Sequence, residues 1–220
     1  MRFLTLVLFF VSARVDAQNF DVTILKSVYK NETAFKDHFF KTDAQSVTVF
    51  NIAAPVGIFA DGLIKHDKKL QEDAIYMAGA FILSSIVTQG TKQIVKRERP
   101  FVRYPLIFSD RYDGGGYSFP SGHTSAAFCT ATSLSLYFPR WYVIAPSYLW
   151  AASVGWACMY EGVHYPTDVL AGAVVGAGSA WLGYKIQQLI DRKYKAAHKQ
   201  QEISPYKHSL QSISASIKAE

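Results

Sequence analysis

Cysteine is almost missing from this 220-residue chain: the two that occur, Cys129 and Cys158, both sit in apolar stretches. Neither a disulfide framework nor a metal-binding spacing can be built from them. Charge is sparse at 18% of residues, and acid is scarcer than base, with 17 Asp and Glu against 23 Lys and Arg. The resulting formal charge of +6 and pI near 9.2 suit anionic partners, whether phosphates, acidic lipid surfaces or nucleic acid. Nucleic acid is the weakest of the three and is not expected. No motif for it is present, and the basic residues gather in one loop and at the C-terminus. There is no internal repeat, no low-complexity linker and no Gly-rich loop of the nucleotide-binding kinds. Gly114-Gly115-Gly116 reads only as a flexible turn. No segment shows the strict alternation of a half-buried strand, so an all-α fold is expected.

Apolar residues are plentiful, at 50% hydrophobic and 15% aromatic. The mean hydropathy of +0.06 is high for a soluble protein and low for a bundle packed with long spans. Five stretches, Val47–Ile64, Ala74–Ile94, Thr124–Phe138, Trp141–Tyr160 and Val169–Ile190, are long enough for helices, and several are apolar around most of their circumference. Such helices are buried in a large core or in lipid. The last carries Gly172, Gly176 and Ala180, with Gly178 and Gly183 beside them. Small residues four apart let membrane helices approach closely, although a tight soluble bundle uses the same device. If the first stretch starts outside, Lys65-His66-Asp67-Lys68-Lys69, Arg140 and the Lys/Arg-rich tail all fall inside, in keeping with the positive-inside tendency. Connections 95–120 and 161–168 then share the outer side.

Arg2, the apolar run Phe3–Val11 and the small and polar residues ending at Ala17 describe a secretory signal peptide over 1–17. The run is too short to span a bilayer, which takes about 20 apolar residues. Residues 18–46 read as an extracytoplasmic surface segment, 47–190 as a helical-bundle domain and 191–220 as a basic polar tail, frayed beyond Gln200. The expected architecture is a membrane bundle of about five spans, or six if the N-terminal segment is retained as an anchor. Nothing in the sequence specifies an oligomeric state.

Three polar clusters flank the helix ends on the expected outer side. In the first, Lys92 and Arg99 frame Lys92-Gln93-Ile94-Val95-Lys96-Arg97-Glu98-Arg99-Pro100. A Lys ammonium offers a compact charge and an Arg guanidinium a planar fork that matches phosphate oxygens. The second is Phe119-Pro120-Ser121-Gly122-His123-Thr124. Ser121 is a natural N-cap, and Gly122 permits close backbone approach. The amides of Ser121, Gly122 and His123 would face an anion at the positive end of the helix. The third is His164-Tyr165-Pro166-Thr167-Asp168. Pro166 reads as a first helical residue, which leaves His164 just outside the helix and Asp168 in its first turn. A carboxylate there can accept the imidazole Nδ1–H, the base–orienter half of a nucleophilic site. Each cluster alone is commonplace as a solvated helix end, a cap or a structural histidine. Together they form one coherent site for phosphoryl chemistry.

The pattern Lys-x6-Arg-Pro, Pro-Ser-Gly-His and His-x3-Asp, running from Lys92 to Asp168, resembles the type 2 phosphatidic acid phosphatase superfamily. That group includes lipid phosphate phosphatases, bacterial class A acid phosphatases and vanadium-dependent haloperoxidases. The resemblance implies a helical bundle in which His164 attacks phosphorus to give a phosphohistidine and Asp168 orients it. His123 would protonate the leaving oxygen and then help activate water. Lys92, Arg99 and the Ser121–Gly122 amides would hold the equatorial oxygens, with neither metal nor cofactor. The implied substrate is a phospholipid or isoprenoid-lipid phosphate, hydrolysed at the outer face of the cytoplasmic membrane. One position departs from the pattern: the family has an Arg six residues before the nucleophile, and Cys158 stands here. Lys96, Arg97, Arg103 or Arg111 could substitute, the enzyme could be slow, or the chain could be a phosphate or lipid-headgroup binder. A soluble periplasmic acid phosphatase of the same superfamily is the other alternative.

Overall fold

The computed structural model describes residues 20–29, 34–108 and 116–217. The expected signal peptide and Arg111 lie outside the described residues. Helix α1 covers residues 20–29, followed by α2 (Ala34–Ile64), α3 (Lys68–Val95), the short α4 (Pro100–Arg103), α5 (Gly122–Tyr137), α6 (Trp141–Tyr160) and α7 (Pro166–Ile217). No strand occurs among the described residues. All five apolar stretches are helical. The 46/47 boundary, however, falls inside α2, and residues beyond Gln200 are helical as far as Ile217. The tail is rich in Lys, Gln, Glu and Ala, which favour helix without needing a packed face.

The chain divides into two units, Met1–Gly183 and Tyr184–Glu220, and the bundle is the first. Its central element is α5, only 16 residues long, with Thr124, Ser125, Ala127, Cys129, Thr130, Ala131, Thr132 and Ser133 all buried. At 1.5 Å per residue it is about 24 Å long, short of a bilayer's hydrocarbon core of about 30 Å. Its composition follows from its surroundings: α2, α3 and α6 all pack on it, and small or hydroxyl side chains let them come close. The hydroxyls find partners within the bundle. Ser125 Oγ pairs with Ser84 Oγ at 2.7 Å and accepts from Thr88 Oγ1 at 3.0 Å, and Thr130 donates to Asn51. A core of Val47, Ala127, Ala131, Ala151 and Val154 joins α2, α5 and α6.

Three helices are long and apolar enough to cross a membrane among the described residues: Thr42–Ile64, Lys68–Arg103 and Pro166–Ala196. Their outer faces carry Val56, Ile64, Ile82, Ile86, Ile94, Leu170 and Val174, each more than half exposed. Apolar surface on this scale marks an interaction face, and on helices of this length and composition the matching environment is lipid. The bundle is a helical membrane fold.

Candidate active site

His164 is delivered by the turn between α6 and α7. The Cys158 carbonyl at the end of α6 accepts from the N–H groups of both Val163 and His164, at 3.2 and 3.3 Å. This tight reversal passes through Gly162 at φ +68°, a conformation that costs glycine nothing and an L side chain roughly 1–2 kcal/mol. Tyr165 follows, and Pro166 opens α7 as expected. Asp168 Oδ2 accepts from the Tyr165 N–H at 3.0 Å. This is the return half of a capping box, an acid in the first turn satisfying the N–H just before the helix.

His164 Nδ1 lies 3.6 Å from the same Oδ2, an ion-pair distance just beyond hydrogen-bond reach, so Nδ1 is buried without a hydrogen-bond partner. The expected Nδ1–H bond to Asp168 is therefore just out of reach. Catalytic hydrogen bonds are often long before substrate binds and tighten on binding. Burial pushes the His164 imidazole down to about 4, with Arg99 and Lys92 adding to the fall and Asp168 opposing it. The ring is neutral near pH 7.

The second cluster folds as a capped helix start. Ser121 is the N-cap of α5, its Oγ accepting from Thr124 Oγ1 at 2.9 Å and donating to Cys158 Sγ at 3.9 Å. Its N–H donates to the Asp168 carbonyl at 2.9 Å. The expected three-amide nest thus loses one member, because the first turn of α7 crosses close enough to take the Ser121 amide. Gly122 and His123 remain on the open side. In the first cluster, Lys92 Nζ donates to the Tyr117 carbonyl at 2.5 Å. Arg99 donates to the Gly116 and Val163 carbonyls at 3.2 and 3.3 Å.

Lys92, Arg99, Gly122, His123 and His164 line one pocket of about 450 Å³. The remaining wall is largely apolar, with Val47, Ile52, Phe81 and Ala126 beside Thr48, Asn51 and Ser85. Ser121 and Asp168 are wholly buried behind it. Cys158 is also buried, 1% exposed. Of the cations that could have replaced the missing Arg, Lys96, Arg97 and Arg103 all lie elsewhere, around a larger cavity of about 660 Å³ that holds neither histidine. Lys92 and Arg99 are the two cations of the pocket among the described residues.

Two residues of the site escaped sequence reasoning in their actual roles. Arg97 donates from NH1 to Asp168 Oδ1 at 2.7 Å and to Thr167 Oγ1 at 2.8 Å. It donates from NH2 to Asp21 Oδ2 at 2.7 Å, and its guanidinium lies 3.8 Å from the Tyr165 ring centroid. Lys96, at φ +50°, ends α3 in the left-handed region, and the chain turns there before Arg97. Asp21 on α1 accepts from the Thr167 N–H at 3.0 Å. The spacing after Lys92 could have flagged Arg97, but nothing local links Asp21 to a helix 146 residues away.

Two imidazoles, two cations and a helix N-terminus thus surround one partly apolar pocket inside a membrane helical bundle. A family model for the PAP2 superfamily matches residues 73–192, more than half of the chain, and the chain belongs to that superfamily. It is 36% identical over 89 residues to a lipid A 4'-phosphatase of Bacteroides thetaiotaomicron, covering 40% of this chain and 39% of that protein. It is 28% identical over 120 residues to an undecaprenyl-diphosphatase of Sulfolobus acidocaldarius, covering 54% and 58%. The chain thus spans between about two fifths and three fifths of the length of these relatives. In structure it resembles the first transmembrane PAP2 type phosphatidylglycerolphosphate phosphatase from Bacillus subtilis, with TM-score 0.69 and 24% identity over 85% of this chain and 96% of that one. That similarity is one of fold.

Proposed function

We propose that the protein is a membrane phosphatase that removes the terminal phosphate of a lipid phosphate or lipid diphosphate. The observation that carries this reading is the shared lining of the smaller pocket, which sets Lys92, Arg99, His123 and His164 against an apolar wall from α2, α3 and α5. A lipid phosphate has the same division, with a dianionic head joined to an apolar body.

In the proposed mechanism Nε2 of neutral His164 attacks phosphorus, and Asp168 draws in Nδ1–H as positive charge develops on the ring. His123 protonates the leaving oxygen, and the P–O bond breaks to leave a phosphohistidine. Neutral His123 then takes a proton from water as it attacks the same phosphorus, which releases phosphate and restores His164. Lys92, Arg99 and the Gly122 and His123 amides hold the charge on the equatorial oxygens. Ser121 acts as the cap that fixes this helix start, and no metal enters any step. The basic loops at 65–69 and 140 favour a cytoplasmic side opposite the site, which supports a reaction at the extracytoplasmic face.

Phosphate release decides it. The panel is phosphatidate, phosphatidylglycerophosphate, an isoprenyl pyrophosphate, a lipid A phosphate and a small soluble ester, each assayed with wild type and His164→Ala in detergent micelles. At least one lipid is hydrolysed by wild type and none by His164→Ala. Equal release by both proteins overturns the proposal. With Cys158 where the family pattern has Arg, a headgroup binder remains the second reading, and robust turnover excludes it.

A further inference from the structure

The larger of the two cavities, the small-residue stripe and the exposed apolar faces each either border the site already described or face lipid. The feature none of these accounts for is the buried polar chain from α1 to Asp168. Asp21 is 1% exposed and Asp168 fully buried, and both carboxylates are held by the single guanidinium of Arg97 at 2.7 Å. Two buried acids on one fork, with Thr167 Oγ1 bonded to both Arg97 and Asp21, fix the start of α7 from behind. The rest of α1 presses on the same turn. Leu25 is buried against Phe108 and Tyr165, and Tyr29 lies where a Cβ on Gly162 would meet it at 3.3 Å. Asp21 lies outside the span matched to the superfamily, 73–192, so this support belongs to the part of the chain that the family pattern does not describe.

We propose that Asp21 and Arg97 are positioning residues of the phosphatase site: α1 clamps Asp168 through Arg97, and Asp168 in turn sets the ring of His164. This rests on the phosphatase reading above. An Asp168 held rigidly from behind stays at the right distance to receive the Nδ1 proton as the ring swings onto phosphorus. An unclamped one, though still accepting from the Tyr165 amide, is free to rotate away from the ring. Outer-shell partners of metal-bound histidines orient their rings in the same way, and their loss typically costs about ten- to a hundredfold in metal affinity or activity.

The test uses the full chain in detergent with a lipid phosphate that wild type hydrolyses. Asp21→Asn keeps an acceptor for the Thr167 N–H but removes the carboxylate that Arg97 needs. Arg97→Lys keeps the charge and loses the fork. Each lowers kcat by about tenfold or more while KM for the lipid stays within about twofold, because neither residue lines the substrate pocket. Arg97→Gln gives the readout that simple loosening would not. The charged and titratable groups facing His164 are Asp168 on α7, Lys92 on α3, Arg99 before α4 and His123 on α5. With Arg97 gone, more of the charge of Asp168 bears on His164, and the acid limb of kcat/KM moves to higher pH. In Arg97→Lys it stays in place. Should Arg97→Gln fail to fold, the kcat and KM values of Asp21→Asn and Arg97→Lys decide. Wild-type kcat in both folded variants overturns the positioning role and leaves the phosphatase reading standing. A wild-type protein inert across the lipid panel overturns both.

Discussion

His164 combines two demands that conflict in water, being buried and being ready to carry positive charge. Burial wins in the resting state and holds the imidazole near 4, so the proposed nucleophile is neutral near pH 7. The ring must be neutral to attack, and activity is therefore retained as pH falls until the proton binds. The acid limb of kcat/KM attributable to His164 is expected near pH 4, well below an ordinary imidazole at about 6.5. A limb near 6.5 that persists in a variant lacking His123 would show that Asp168 outweighs burial at His164. Cys158 makes a second prediction at this scale. Its Sγ touches Ser121 Oγ, one residue from Gly122 in the pocket lining, so a longer side chain grown from this position reaches the phosphate site. Cys158→Arg adds the missing donor, worth about 2.7–4 kcal/mol when such a group is removed from a developing oxyanion. It also overpacks a buried position, at about 1–3 kcal/mol. Turnover per folded molecule rises and the thermal midpoint falls. An unchanged turnover would mean that another cation already serves. The local motifs made His123, His164, Lys92 and Arg99 legible before any coordinates. The engagement of the Ser121 amide was not legible, because its acceptor is the Asp168 carbonyl on another helix.

Between α5 and α7 the small residues do what lipid-embedded helices need, and they do it selectively. A Cβ on Gly172 would stand 2.6 Å from the Ser121 carbonyl oxygen, and one on Gly176 would overlap the Ser125 carbonyl, whereas Gly178 has open space. The stripe thus brings the first turn of α7, with Asp168, onto the N-terminus of α5, with Ser121 to His123. Helix contact and site geometry are the same feature. Gly176→Ala is expected to lower thermal stability in detergent, because overpacking against backbone costs about 1–3 kcal/mol or more. Gly178→Ala should be neutral or raise it, by up to about 1 kcal/mol of helix propensity. Equal shifts in the two variants would refute the close α5–α7 packing. The stripe was visible in the sequence, but not which of its glycines face α5. Helix starts were harder to read than helix cores: α2 begins at Ala34, among polar residues, because its early turns are not selected for apolarity. The role of α1 was hidden for a different reason. Its decisive bond joins residues far apart in the chain, and a single Asp at position 21 carries no pattern of its own.

At the scale of the whole molecule, the apolar outer faces of α2, α3 and α7 and the half-apolar pocket point the same way. Under the proposed function, substrate arrives from a lipid phase with its head directed to Lys92, Arg99 and the two imidazoles. A small soluble phosphate ester offers the head without the body, so its kcat/KM is expected to fall below that of a lipid phosphate by at least about tenfold. That factor corresponds to roughly 1.4 kcal/mol, less than two buried methylenes at about 0.8 kcal/mol each. A soluble ester that matches the lipid would mean that the apolar wall plays no part in recognition. The proposed covalent step is narrower than the substrate: the His164 ring itself takes the phosphoryl group. Its most direct measurement is to mix the protein with a lipid phosphate carrying a radiolabelled terminal phosphate, quench in alkali and map the label. An alkali-stable, acid-labile phosphate on the peptide containing His164, absent from His164→Ala, is the predicted result. Rapid hydrolysis with no label on that peptide, or label that persists in His164→Ala, would contradict it.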